Sequence, residues 1–237
     1  RRDSTQAMYK GGANMSIFWR PRGCVLWFDF AELQGNKVYD LSGNNNHGTI
    51  YGASFKRGPL IGSIYLDGID DYLMVPYSPL FDMYGSPHTV YAVIKLLPGA
   101  TRYNVLVHEG WAFAMGYNPS TGIIRVHRDD GTNLYYYDYY TSLEIGKWYM
   151  IGQMWDGSNA YVILNGELIP VGLSGTVSSR AVSNPRIFHC YNPYDDIYFG
   201  PQETAFIRLY NRALSEREIR AHYNYIFRKM NIVKRRF

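Results

Sequence analysis

The sequence contains no run of about 18 apolar residues, and only two of its 237 residues are cysteines. The first absence argues against a membrane-spanning helix, which needs about 20 apolar residues. The sequence shows no basic start followed by an apolar stretch, which is the pattern of a signal peptide, so we expect a mature or a cytosolic chain. Cys24 and Cys190 could form one disulfide or remain two buried thiols, and one pair does not identify a compartment.

Charged residues are also few, at 19% of the chain, whereas apolar residues make up 46%. This composition differs from that of disordered tails and of charged helical rods, so the chain should fold around a core. A chain of this length can form one large all-β domain that needs neither a metal nor a disulfide for stability. Its 23 tyrosines favour half-buried strands.

Basic residues are concentrated at the two ends of the chain. Residues 1–22 hold five basic and one acidic side chain, and residues 217–237 hold seven and one, so the ends carry +10. Because the net charge is only +4, the rest of the chain carries −6. Such ends are either solubilising segments or contacts with a polyanion, another subunit or a membrane surface.

Short apolar stretches separated by Gly, Asn, Asp and Pro predict many strands joined by turns. The clearest stretches are residues 25–28, 63–66, 72–75, 90–94, 123–126, 148–151 and 160–164. Hairpin turns are predicted at residues 129–131, 156–157 and 165–166, where Asp or Asn precedes Gly. No alternation of strand and amphipathic helix occurs, so two stacked antiparallel sheets are the expected architecture.

One helix is predicted, and it lies near the end of the chain. Ser215 and Glu218 form the capping-box pattern, and Ile219, Tyr223, Phe227 and Met230 follow as one apolar stripe. We expect this helix to pack on the sandwich from about residue 215.

Several stretches together resemble the laminin-G-like jelly-roll domains of the concanavalin A-like lectin and glucanase superfamily. They are Val25–Phe30 leading to the Asp-Leu-Ser-Gly-Asn-Asn-Asn-His-Gly turn at 40–48, the Asp-Gly-Ile-Asp-Asp-Tyr element at 67–72, Gly146-Lys147-Trp148, Trp155-Asp156-Gly157, Leu164-Asn165-Gly166-Glu167, and residues 207–215 with Glu218-Ile219. The resemblance implies an all-β, two-sheet antiparallel jelly-roll sandwich with a C-terminal helix packed on it. It places a basic extension at 1–22, the domain at 23–230 and a basic tail at 231–237.

Domains of this superfamily serve as glycan readers, adhesion modules, accessory parts of hydrolases and structural proteins, so the fold alone does not choose a function. The leading hypothesis is a non-catalytic surface module that binds a glycan or a partner protein. The alternatives are a structural subunit of a virion or extracellular filament and, more distantly, a glycoside hydrolase. We expect an extracellular, cell-surface or virion location.

The acidic residues argue against catalysis. Glucanases of the superfamily carry Glu-x-Asp-x-x-Glu on one strand, which supplies the two carboxylates of a retaining mechanism. The pattern is absent here, and isolated acids such as Glu109, Asp138 and Glu144 lack an evident partner. Cys24 lies in an apolar strand, which favours an unreactive thiol. We therefore expect no catalytic residue.

Calcium is the cofactor that the sequence could accommodate. Asp67, Asp70 and Asp71 form the best acidic cluster, and Asn44 could add an oxygen if it approaches in space. Some superfamily members carry an Asp at the position of Ala205, and its absence weakens the resemblance to a calcium site. The alternative is that these acids hydrogen-bond to the backbone of their own turns.

Aromatic residues give the strongest sign of glycan binding. In the tract at 134–140, strand alternation places Tyr136, Asp138 and Tyr140 on one face, which should be the solvent face. Flat rings around a carboxylate suit a pyranose, although ordinary cross-strand tyrosine pairs would produce the same pattern. Trp111, Tyr117, Tyr191 and Tyr194 are loop aromatics that could extend the surface.

The basic ends match no motif that reads nucleic acid sequence. Arg1, Arg2, Lys234, Arg235 and Arg236 are candidates for non-specific phosphate contact or for assembly into a homo-oligomer or a larger structure.

Overall fold

The computed structural model describes residues 21–32, 35–57, 62–99, 103–108, 112–183, 186–189 and 200–234. Within these residues the chain forms two antiparallel sheets and one helix, α1, at Glu216–Lys234. The all-β sandwich expected from the sequence is confirmed. Trp111, Tyr191, Tyr194, Cys190, Glu109 and the basic residues Arg1, Arg2, Arg235 and Arg236 lie outside the described residues, as does the side chain of Lys234.

The first sheet carries the helix on its outer face. Its strands are β1 (Cys24–Asp29), β4 (Ser54–Arg57), β5 (Gly62–Leu66), β7 (His88–Leu96), β12 (Trp148–Trp155), β13 (Ala160–Leu164), β14 (Glu167–Val171) and β17 (Gln202–Tyr210). They run in the order β14, β13, β12, β7, β17, β5, β4, and β1 lies beside β5 along one edge of β17. The other edge of β17 pairs with β7.

The second sheet faces the first across the main core. Its strands are β2 (Lys37–Val38), β3 (Gly48–Tyr51), β6 (Tyr72–Val75), β8 (Tyr103–His108), β9 (Ala114–Asn118), β10 (Ile123–Asp129), β11 (Asn133–Tyr140), β15 (Leu173–Ser178) and β16 (Ile187–His189). Their order is β15, β11, β10, β9, β8, β16, β6, β3, β2. Two short 3-10 turns, Phe30–Glu32 and Pro79–Phe81, complete the described elements.

The central strand β7 is apolar along most of its length because both of its faces are buried. Val90, Ala92 and Ile94 point into the core between the sheets. Tyr91 and Val93 point the other way, into a second apolar layer beneath α1. The two layers explain why β7 lacks the polar alternation of a half-exposed strand.

The predicted hairpin turns are confirmed. Asn165 and Gly166 have φ of 50° and 88°, the left-handed values that a tight two-residue turn requires, and they join the antiparallel strands β13 and β14. At the β12–β13 turn, Asp156 Oδ1 accepts hydrogen bonds from the Ser158 and Asn159 amides at 2.8 and 2.7 Å. The Asp and Asn residues therefore hold the turns that set the strand register.

The capping box of α1 is present as predicted. The Ser215 amide and hydroxyl donate to Glu218 Oε2 at 2.8 and 2.9 Å, and the Glu218 amide donates to Ser215 Oγ at 3.3 Å. The helix continues to Lys234, four residues into the segment that the sequence assigned to a basic tail. The capping box therefore fixes the residue at which the helix begins.

The buried side of α1 is wider than the predicted stripe. Ile219 is fully buried, as expected, but Ile226 and His222 are buried beside it, whereas Tyr223 and Phe227 pack at the margin. Sequence reasoning missed His222 because a polar residue interrupts an apolar stripe. Its burial shows that the layer beneath the helix contains polar groups.

A charged group lies in this layer. Arg208 is 2% exposed, donates to the Tyr91 hydroxyl at 3.3 Å, and lies 4.3 Å from the centre of the Trp27 ring. The Tyr91 hydroxyl also lies 2.9 Å from His222 Nδ1. Tyr91 therefore links a buried cation on the sheet to a buried imidazole on the helix.

Candidate functional site

The tyrosine-rich strand β11 divides its side chains between two faces, as its alternation predicts. Tyr137 is buried in the core, and Tyr135 and Tyr139 pack against it. The prediction that Tyr117 is a loop aromatic is wrong, because Tyr117 lies in β9 and is buried in the same core. Tyr140, on the other face, is 71% exposed. The outer face of β10 and β11 is therefore a surface with aromatic and charged groups.

Asp138 does not present an unpaired carboxylate on this surface. Its Oδ1 accepts from Arg125 Nε at 2.6 Å and its Oδ2 from Arg125 Nη2 at 2.7 Å. This two-pronged hydrogen bond raises the pKa of Arg125. The Asp138 side chain is only 9% exposed while that of Arg125 is 44% exposed, so the charged group that a ligand meets first is the guanidinium.

Tyr136 supports the same guanidinium. Its ring centre lies 4.7 Å from Arg125 Cζ, and its hydroxyl lies against Gly175 of β15, where a side chain would collide with it. Tyr136 is thus covered on one side rather than free for stacking. We name the group Arg125, Tyr136, Asp138 and Tyr140 the tyrosine face.

Sequence reasoning missed Arg125, although a signal for it existed. The turn at 129–131 sets a register in which Asp129 pairs with Leu134, and counting back along both strands pairs Arg125 with Asp138. Directly opposite residues in an antiparallel pair share a face. The same register places His127 opposite Tyr136, where burial lowers its pKa to about 3. The position of the turn and the strand register would therefore have predicted that Arg125 faces Asp138.

The acidic cluster holds its own turn. The carboxylate oxygens of Asp67, Asp70 and Asp71 lie within 4.8 Å of one another. Asp71 Oδ2 accepts from the Asp67 amide at 2.9 Å, and Asp67 Oδ1 accepts from the Ile69 amide at 2.8 Å. Burial raises the pKa of Asp71. Ca²⁺ takes six to eight oxygen ligands, and two of the carboxylate oxygens in this cluster already accept backbone hydrogen bonds. Calcium binding at this cluster stays a prediction.

Asn44 lies in the turn at 40–48 and forms hydrogen bonds within it. Its side-chain amide donates to the Cys24 carbonyl at 3.0 Å and to Ser42 Oγ at 2.9 Å. Asp40 organises the same turn by accepting from the Trp27 and Ser42 amides, both at 2.9 Å. These bonds tie the motif at 40–48 to β1, which gives it a structural role.

Residues 67–220 match the sequence pattern of the Laminin_G_3 family, which is described as the concanavalin A-like lectin/glucanases superfamily. The chain belongs to this superfamily. No curated protein is significantly similar to the chain in sequence.

Solved structures share the superfamily fold with this chain. The binding domain of Paraclostridial mosquitocidal protein 1 superposes with a TM-score of 0.62 at 17% identity, over 86% of this chain and 52% of that one. The binding domain of botulinum neurotoxin DC in complex with rat synaptotagmin II gives 0.60 at 15% identity, over 86% and 51%. Trypanosoma rangeli sialidase gives 0.59 at 16% identity, over 85% and 33%. The chain thus spans about half, or less, of each of these proteins.

Two of the isolated acids considered for hydrolysis, Asp138 and Glu144, are paired with cations. Asp138 pairs with Arg125, and Glu144 pairs with Lys147 at 2.7 Å near the surface. The Cys24 thiol donates to the Leu26 carbonyl at 3.5 Å, and burial raises its pKa to about 11. At neutral pH this thiol is protonated, which removes its nucleophilic form.

Ala205, where some superfamily members carry an Asp, is fully buried in the apolar layer beneath α1.

Among the described residues, no helix is both long enough and apolar enough to cross a membrane.

Proposed function

We propose that this domain is a non-catalytic, lectin-like binding module that recognises a glycan through the tyrosine face and works at a cell surface, outside the cell or on a virion. The observation that carries the proposal is the pairing of an exposed tyrosine ring, Tyr140, with an exposed guanidinium, Arg125, that is fixed in place by Asp138 and Tyr136. Both groups are flat, and both lie on the uncovered side of the same hairpin.

The chemistry of the two groups suits a sugar. An exposed aromatic ring packs against the C–H face of a pyranose, and Tyr140 supplies such a ring. The Arg125 guanidinium holds five N–H donors in a fixed fork, of which Asp138 takes two, so the remaining ones can donate to hydroxyls. Because the fork is already held, binding loses little side-chain entropy.

The structural neighbours support the class of function. Two of them are binding domains of toxins, and botulinum neurotoxin DC is described both with SialylT and with rat synaptotagmin II. Proteins that contain this fold therefore bind a glycan in one case and a protein in another. For the present chain, glycan is the ligand that the tyrosine face favours, and a partner protein is the alternative.

Replacing Tyr140 by Ala should weaken glycan binding about 2- to 13-fold, because an aromatic contact contributes roughly 0.5–1.5 kcal/mol. The measurement is a glycan array followed by titration calorimetry on the best ligand. Tyr51→Ala is the matched control, since Tyr51 is an exposed tyrosine elsewhere on the same sheet. Equal binding by the Tyr140→Ala variant and the unaltered protein would rule out the tyrosine face.

The protein should release no product from β-glucans, galactans or mannans. Hydrolysis of these polysaccharides by the usual mechanism needs two convergent carboxylates, and Asp138 and Glu144 are each paired with a cation. Reducing-sugar release assays test this expectation. Release that disappears on Asp138→Asn or Glu144→Gln would identify the domain as a hydrolase instead.

A further inference from the structure

A groove of about 570 Å³ opens at the end of β5, on the first sheet and therefore away from the tyrosine face. The side chains that matter in it are Lys56, Tyr65, Asp67, Ile69, Pro98 and Pro201. Its volume falls within the roughly 300–1,000 Å³ typical of small-molecule sites. The motif at 67–72 supplies Asp67 and Ile69, but the sequence did not predict the groove because its walls come from four distant parts of the chain.

The walls of the groove are tied together. The Leu97 amide donates to the Pro201 carbonyl at 3.1 Å, which joins the segment after β7 to the entry of β17. Gly68 lies so close to Pro201 that a Cβ on it would approach the Pro201 nitrogen to 2.6 Å. The hydrogen bond from the Ile69 amide to Asp67 then holds a turn from which Ile69 projects, 74% exposed. The groove is thus formed before any ligand arrives.

One wall presents hydrogen-bond donors. Lys56 and Lys95 both bind Oε1 of Glu203, at 3.1 and 2.7 Å, and the Glu203 side chain is only 9% exposed. One carboxylate cannot neutralise two ammonium groups, so this wall keeps a positive charge. Lys56 lies 4.4 Å from the centre of the Tyr65 ring and is 49% exposed, so its ammonium group, which has three N–H donors, is accessible to a ligand.

The other wall presents acceptors. Asp67 uses Oδ1 for the Ile69 amide, and its carboxylate lies beside those of Asp70 and Asp71. A ligand with a negative charge is attracted by the lysine wall and repelled by this one, and the reverse holds for a cation. Hydroxyl groups are different, because each can accept from an ammonium or donate to a carboxylate.

We propose that this groove binds a segment of a neutral oligosaccharide, with hydroxyls bridging Lys56 and Asp67 and ring C–H groups packed on Ile69, Pro98 and Pro201. The inference rests on the proposed lectin-like function and adds a second site with a stated ligand class. Two sites on opposite sheets would allow one domain to contact two branches or two chains of a glycan.

The experiment follows the Ile69 methyl resonance of the full chain by NMR. The probes are three neutral trisaccharides, maltotriose, cellotriose and triacetylchitotriose, and one anionic trisaccharide, sialyllactose. At least one neutral probe should shift Ile69 in the millimolar range, and sialyllactose should bind more weakly. Lys56→Gln should weaken the neutral probe about 3- to 10-fold, since a hydrogen bond from a charged donor is replaced by a weaker one from a neutral amide.

Asp67→Asn is the matched second variant, because the amide oxygen of Asn can still accept from the Ile69 amide while the charge is removed. It should raise the affinity for sialyllactose relative to the neutral probe. Tyr140→Ala should leave the Ile69 shift unchanged. Two-dimensional spectra of each variant confirm that the fold is retained.

The remaining outcomes separate this inference from the proposed function. If a trisaccharide binds, leaves Ile69 unmoved and is weakened by Tyr140→Ala, the groove proposal is overturned and the lectin-like function stands. If none of the four probes moves Ile69, or if sialyllactose moves it more strongly than every neutral probe, the groove proposal is also overturned. The tyrosine face is then judged by its own glycan-array experiment.

Discussion

Lowering the pH from about 7 to about 4 should destabilise this domain by several kcal/mol, because burial lowers the pKa of three of its histidines, His88, His127 and His222. His88 is fully buried and His222 is 5% exposed. Burial lowers the pKa of His88 from 6.5 to about 4 and that of His222 from 6.5 to about 3. The unfolded chain therefore binds protons below pH 6.5 that the folded chain does not accept.

The hydrogen bonds of His88 explain why it stays neutral. Its Nδ1 lies 2.9 Å from the Ser86 carbonyl, which requires a donor there, and its Nε2 lies 3.0 Å from Gln153 Nε2, which requires an acceptor. Only the neutral tautomer with the proton on Nδ1 satisfies both. The contribution of neutral His88 to the free energy of unfolding is thus fully present above pH 6.5. It is lost as the pH falls to about 4, and the loss amounts to about 3 kcal/mol.

His222 faces a different set of charged and titratable groups. On the sheet side these are Arg208, Tyr91 and Tyr210, and on the helix side Glu218 and its partner Arg212. Burial is the main cause of the low pKa of His222, and the nearby Arg208 lowers it further. Its contribution is lost between pH 6.5 and about 3 and amounts to roughly 5 kcal/mol.

Glu218 extends the loss of folding stability to lower pH. Although burial raises the pKa of this carboxyl, hydrogen bonds from Arg212 and Ser215 hold it at about 2. Its stabilising effect is present above pH 4.5 and disappears as the pH falls toward 2. Because the Arg212–Glu218 pair is partly exposed, solvent screens this contribution.

Urea unfolding between pH 7 and pH 4, at intervals of about half a unit, tests the histidine account. His222→Gln should make the pH dependence shallower, and Arg220→Ala, an exposed and non-titrating change on the same helix, should leave it unaltered. His88 lies in the core between the sheets and His222 in the layer beneath α1, so their effects should add. A free energy of unfolding that is constant across this range would refute the account.

Local signals predicted most of the fold. The Asn165-Gly166 turn, the Asp-based turns at 129–131 and 156–157, and the Ser215 capping box act within a few residues, so their chemistry can be recognised along the chain. The apolar stretches between them then had to be strands of a sandwich. The family resemblance agreed with this prediction, and the family match at 67–220 confirmed it.

The functional surfaces were harder to predict because their residues meet across the sheet. Asp138 looked like a free sugar acceptor until the strand register placed Arg125 on it. The groove depends on Gly68 meeting Pro201, which is 133 residues away along the chain. Burial of His222 and Arg208 depends on where α1 docks, which no local pattern specifies. Sequence alone therefore predicted the elements better than the pairs of residues that join them.

Replacing Ile219 by Ala should cost about 2–5 kcal/mol of unfolding free energy, because Ile219 is fully buried beneath α1 and its truncation leaves a cavity. Ile219 packs in the same apolar layer as Tyr91, Val93 and Leu214, so its removal loosens the helix from the first sheet. Ser215→Ala should cost less, about 1 kcal/mol, since it removes only the cap.

Arg220→Ala is the matched control on the next residue of the helix. Its guanidinium pairs with Glu216 at the surface, an interaction worth about 0.5 kcal/mol or less. Chemical unfolding followed by tryptophan fluorescence compares the three variants with the unaltered protein. Two of the five tryptophans, Trp27 and Trp148, pack against the layer beneath the helix and contribute to this signal. If Ile219→Ala proves no more harmful than Arg220→Ala, the helix does not unfold together with the sandwich, and its apolar side would be available to a partner instead.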